Sequence, residues 1–100
     1  MKTIYKYKID PYKPYLSAPI TKMLSVQCQR DNITLWAEVD TEQKDKHFMF
    51  VVIGTGWDLS NLTHFDKMTY LSTVQQFDGD LIWHIYYLEL NVPYDKIGQE

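Results

Sequence analysis

The chain has 100 residues, 45% hydrophobic and 23% charged, with a formal net charge of −3. That is enough apolar content for one core, which excludes two domains, a disordered chain and a collagen or linker composition. A lone Cys28 excludes an intramolecular disulfide framework and a multi-cysteine zinc site, and the acidic balance argues against a general nucleic-acid binder.

Residues 2–9 alternate with period 2, the signal of a strand. Thr3, Tyr5, Tyr7 and Ile9 share one face, and Lys2, Ile4, Lys6 and Lys8 the other. A lysine-rich face suits a sheet edge, where charge discourages edge-to-edge pairing. The same lysines interrupt the apolar run that a signal peptide needs. With Lys13 and Lys22 they give residues 1–22 five lysines against one acid, Asp10; residues 23–100 hold five basic and twelve acidic residues. Either the basic strand lies beside acidic neighbours of its own fold, or the surface is dipolar and docks a charged partner.

Asp10-Pro11-Tyr12-Lys13-Pro14-Tyr15 breaks the alternation, because proline fixes φ, removes a ladder donor and pushes its predecessor extended. This reads as a loop ending near Pro19, with Tyr12 and Tyr15 anchored on the core or facing a partner. Residues 20–29 are the next strand, with Leu24, Val26 and Cys28 inward. Arg30-Asp31-Asn32 is a turn, and residues 33–40 return antiparallel with Ile33, Leu35, Ala37 and Val39 inward. Trp36 falls among the outward Thr34, Glu38 and Asp40, which calls for a second layer on that face or a surface anchor.

Residues 41–46 are a polar connection expected to close another hairpin. Residues 47–53 are apolar on both faces, the mark of a central strand covered on two sides. Gly54-Thr55-Gly56 ends it. Residues 57–68, with Trp57, Leu59, Leu62, Phe65 and Met68, fit a short helix capped by Asp58 or Ser60, or an ordered loop. Residues 70–77 and 81–90 form the last hairpin around Asp78-Gly79-Asp80. The expected fold is mainly all-β over residues 1–91. It has six antiparallel strands in a meander of hairpins, as a two-layer sandwich or small barrel, with one helical or irregular insertion around 57–68. Residues 92–100 read as a flexible tail. Two strands apolar on both faces in so short a chain also lead to an expected homodimer.

No strong catalytic constellation stands out. His47, His64 and His84 lack metal-ligand spacing, Cys28 reads as a small buried hydrophobe, and most acids fall in turns. The expectation is no enzyme activity, no metal and no cofactor. Gly54-Thr55-Gly56 lacks the spacing of phosphate loops. It is a strand end that uses glycine for φ > 0, or a nest of backbone amides for a phosphate. Trp57 is then either core or a recognition surface. The candidate ligand or partner residues are Gly54, Thr55, Gly56, Trp57, Tyr12 and Tyr15.

Six segments occur in a fixed order: Lys2-Thr3-Ile4-Tyr5-Lys6-Tyr7, Leu24-Ser25-Val26-Gln27, Leu35-Trp36-Ala37-Glu38-Val39-Asp40, Ile53-Gly54-Thr55-Gly56, Phe77-Asp78-Gly79 and Trp83-His84-Ile85. In this, over residues 2–89, the chain resembles a family of small proteins of unknown function encoded by tailed phages and prophages. It departs in the Pro/Tyr loop at 11–15, at Trp57 and past Leu90. The resemblance supplies no catalytic residues. It implies a non-enzymatic accessory protein, outside the virion, that binds a host or phage protein in the bacterial cytoplasm, bacterial defence systems among the targets. Two alternatives stand beside it. One is a binder of a nucleotide-like signal at residues 54–57. The other is a structural or nucleic-acid-mimicking protein. No membrane partner is expected, and direct nucleic-acid binding is argued against.

Overall fold

The computed structural model describes residues 1–97, which form seven strands. In chain order these are β1 (Lys2–Lys8), β2 (Tyr15–Ala18), β3 (Ile20–Gln29), β4 (Asn32–Asp40), β5 (Lys46–Gly54), β6 (Thr69–Gln76) and β7 (Leu81–Leu90). They build two antiparallel sheets, one of order β1-β4-β3 and one of order β2-β5-β7-β6. The basic strand β1 takes the edge position its lysines suit, beside β4.

The core lies between the sheets. Ile33, Leu35, Ala37 and Val39 of β4 are all buried, with Leu35 and Ala37 at zero exposure. They pack with Phe48 and Phe50 of β5 and Ile85 of β7 in one cluster. Period-2 patterning therefore placed the inward face of β4 correctly. At one margin β3 and β6 approach, but Val26 N–H donates to the Ser72 hydroxyl (3.1 Å) instead of starting a backbone ladder. The result is a sandwich and not a closed barrel.

Several expectations need correction. Residues 15–18 are strand and not loop: β2 pairs with β5, Tyr15 opposite Met49 and Ala18 opposite Lys46. That brings the strands to seven, where six were expected. The chain is also not a meander. Only β3–β4 and β6–β7 are hairpins; residues 41–45 carry the chain from one sheet to the other. Leu24 does not face inward. A bulge between Met23 and Ser25 makes Leu24 the extra residue, so Met23 packs on the core and Leu24 is exposed. The insertion at residues 57–68, by contrast, is irregular as one of the two expected forms had it, with a 3-10 turn at Phe65–Lys67. β5 is interior in its sheet, with the Tyr94–Lys96 turn beside it, and Phe65 packs on Tyr86 of the neighbouring β7. Residues 98–100 of the expected tail lie outside the described residues. Among the described residues no helix is long and apolar enough to cross a membrane.

The two hairpin tips are tied together. Arg30 and Asp31 both take positive φ (49° and 63°), as a two-residue type I′ turn demands. The Asp31 carboxylate accepts from Phe77 N–H (3.1 Å), and its carbonyl accepts from the Gln76 amide (2.6 Å). The two sheets are thereby pinned at the end where β5 delivers residues 54–57.

Candidate functional site

β5 leaves the core through Ile53 and Gly54, both buried, and turns sharply. Trp57 N–H donates to the Gly54 carbonyl (3.2 Å), and Gly56 sits at φ +87°. That is the positive φ a type II turn requires at its third residue, and glycine adopts it without a Cβ penalty. Gly54 serves differently. A Cβ there would lie 2.6 Å from Trp57 Cε2 and Nε1, so the missing side chain is what lets the indole rest on the strand end. The indole also meets Trp83 edge-on, with centroids 5.6 Å apart at 79°. Trp57 is thus held from below and from one side while 58% of it stays exposed.

Pairing across the sheet adds residues that were not among the expected ligand or partner residues. His84 of β7 lies opposite Ile53 of β5 and Thr73 of β6. Its Nε2 is 2.7 Å from Thr55 Oγ1, and its Nδ1 is 3.0 Å from Thr73 Oγ1. Thr73 Oγ1 in turn lies 2.7 Å from the Tyr70 hydroxyl. A neutral imidazole donates at one nitrogen and accepts at the other, and hydroxyls rotate to complete either pattern. Thr55 and His84 have the spacing of a nucleophile and its base, but the group behind the imidazole is a threonine hydroxyl. A triad places a carboxylate there to stabilise the imidazolium. The relay therefore anchors Thr55, and with it the turn, to β6 and β7.

Around the turn lies a cavity of about 150 Å³ lined by Ile53, Gly54, Trp57, Leu59, His84 and Tyr86. Tyr86 is buttressed by Phe65 (4.9 Å) and Tyr70 (5.4 Å). Trp57, Leu59, Leu62, Tyr70 and Ile82 are all exposed. Ser60 keeps the following loop in shape: its hydroxyl (2.6 Å) and then its N–H (2.9 Å) bond Asp58, holding that carboxyl below its ordinary value.

The other candidates fall elsewhere. Tyr12 stands 93% exposed at the tip of a turn in which Asp10 accepts from Tyr12 N–H. Tyr15, on β2, stacks on Tyr94 (3.4 Å, 11°). It pairs with Met49, which at ~3.4 Å per residue lies roughly 17 Å along β5 from Gly54. Tyr15 therefore lies away from the Trp57 turn, and Tyr12 lines a hollow with Asp10, Asp31 and Gln76. Cys28 is half-buried against the core; burial, then the Asp31 charge, pushes its thiol pKa up. Cys28 belongs to β3 in the other sheet, while both ring nitrogens of His84 are engaged by threonines.

A family model described as Domain of unknown function (DUF7352) matches residues 1–94. No curated protein matches the chain, and no solved structure does.

Proposed function

We propose, for a chain that belongs to the DUF7352 family, a non-enzymatic role: it binds another protein through the Trp57 turn and the apolar side chains around it. The observation that carries this is the state of Trp57, exposed over more than half its surface yet fixed by Gly54 and Trp83. Tryptophan is the residue most enriched at binding hot spots, and a side chain already immobilised loses little entropy on docking. Exposed Leu59 lines the same hollow as Trp57, and exposed Tyr70 packs on Tyr86 at its wall.

The geometry favours a protein over a nucleotide-like ligand at this turn. A 150 Å³ hollow is small against the ~300–1,000 Å³ of small-molecule sites. Trp57 N–H is spent on the Gly54 carbonyl and the Thr55 hydroxyl on His84, so neither group is free for a phosphate at this turn without giving up that bond. The resemblance to small phage-encoded proteins supports an accessory protein whose partner is a host protein of the bacterial cytoplasm, defence systems included.

The test is affinity capture from bacterial lysate with wild type, Trp57→Ala and Tyr12→Ala side by side. A protein retained by wild type and Tyr12→Ala but lost by Trp57→Ala supports the reading. Equal capture by all three contradicts it.

A further inference from the structure

The opposite side of the sandwich, the outer face of the β1-β4-β3 sheet, carries a second feature independent of Trp57. Alternation puts Lys6 and Lys8 of β1 on that face, opposite Trp36 and Thr34 of β4. Lys6 reaches across β4 to β3, where its ammonium donates to Gln29 Oε1 (2.9 Å). Lys6, Lys8 and Arg30 line a groove of about 410 Å³ together with Gln29, Asn32 and Thr34. Among the described residues no acid lines it. The ion pair found among them joins the N-terminal ammonium to Asp40 (3.7 Å), and within that set these three cations have no carboxylate within 4 Å. Asp10 and Asp31 line the adjoining hollow and are engaged by Tyr12 N–H and Phe77 N–H. Trp36 lies half-buried one residue pair further along the same face, between Lys6 and Ser25.

The geometry points to this groove as a binding site for a phosphate ester carrying a nucleobase, either a free nucleotide or one unit of a single-stranded nucleic acid. Three cations with no carboxylate beside them among the described residues, grouped round amide and hydroxyl groups, are the chemistry that holds phosphate. An adjacent tryptophan gives the base a face to stack on, and the pairing of basic groove with aromatic side chain is how single strands are held without sequence preference. The volume is that of a small-molecule site and is nearly three times that of the hollow at Trp57. The whole-chain charge of −3 does not oppose it, because the potential felt by a ligand in a groove is set by the local charges. At the far end of the face the acids Glu38 and Asp40 take over, opposite Ile4 and Lys2, which leaves the Lys8 and Arg30 end as the anchor for phosphate.

Two probes separate the sources: a nucleoside triphosphate followed by calorimetry, and a fluorescent oligothymidylate of about ten nucleotides followed by anisotropy. Binding of the triphosphate alone assigns a free nucleotide; binding of the oligonucleotide with a log–log salt slope near −2, about −0.7 for each of three cations, assigns a single strand. In either case Lys6→Gln/Lys8→Gln should weaken binding about tenfold or more and, for the oligonucleotide, bring the slope near −0.7. Both lysines are exposed on an edge strand, so the thermal transition of that variant should match wild type. Trp57→Ala should bind as wild type. No binding of either probe, or binding unchanged in the double variant, overturns the assignment. So does equal binding of polyglutamate, which has the charge without phosphate or base.

Discussion

Gly54→Ala isolates the packing of the Trp57 turn. The new Cβ would stand 2.6 Å from two indole atoms, where carbon atoms ordinarily rest ~3.5–4.0 Å apart. The ring must therefore retreat by about 1 Å, and the edge-on contact with Trp83 goes with it, a loss of ~0.5–1.5 kcal/mol. Against this, Gly54 is not among the positive-φ glycines, so alanine fits the strand backbone and restricts the unfolded chain, a gain of ~0.4–1 kcal/mol. The two nearly cancel. Stability should stay within about 1 kcal/mol of wild type, a shift in Tm of no more than ~8 °C. Far-UV circular dichroism should be unchanged, while the near-UV tryptophan bands alter and partner capture weakens. In a Trp57→Ala background the same substitution has nothing to strike, so it should become neutral or stabilising, a non-additivity characteristic of residues in contact. Gly54→Ala that leaves the near-UV bands intact, or that costs more than ~3 kcal/mol in both backgrounds, refutes this packing. Gly56→Ala is the contrast: space is open around it, and the +87° φ alone should cost about 1 kcal/mol.

The remaining expectations concern the relay, the bulge and the thiol. His84→Ala removes two threonine contacts and should cost about 1–3 kcal/mol by chemical denaturation, with faster amide exchange over residues 55–57; exchange unchanged there would contradict the anchoring role. Met23→Ala should cost about 2 kcal/mol and Leu24→Ala under about 1, since the bulge seats Met23 on the core; the reverse order in urea melts would place the bulge wrongly. Cys28, whose thiol pKa is raised chiefly by burial, should react with a disulfide reagent far more slowly in the native than in the urea-unfolded protein at pH 8. Because the folded state favours the protonated thiol, that contribution is present below the ordinary pKa of 9.0 and fades as pH rises through the raised value.

What the sequence disclosed followed from period 2. The hairpin of β3 and β4, the buried set on β4 and the β6–β7 pair were legible because each rests on local alternation and a nearby turn. Leu24 was misplaced because a bulge shifts the phase of a strand without leaving a residue signature; the series Ile20, Met23, Val26, Cys28 is seen only beside β4. Tyr15-Leu16-Ser17-Ala18 escaped because it is four residues long and framed by Pro14 and Pro19, which disguise a short edge strand as loop. The polar segment 41–45 suits a hairpin or a crossing equally, so sheet order could not be read from it. At the site, the glycines and Trp57 were visible as a motif. The relay was not, because Thr55, Thr73 and His84 are brought together only by the pairing of β5, β6 and β7. A further signal was available in Ile82, His84 and Tyr86, whose shared parity puts them on one face with residue 53.

We propose the Trp57 turn as the surface that meets a protein partner. Hydroxyl-radical footprinting of the chain free and in complex with the captured partner tests it most directly. Protection should centre on Trp57, Leu59, Tyr70 and Ile82, all exposed in the free chain, while Tyr12 and Leu24 keep their reactivity. Protection confined to the β1-β4-β3 face, with Trp57 as reactive in the complex as alone, would contradict it.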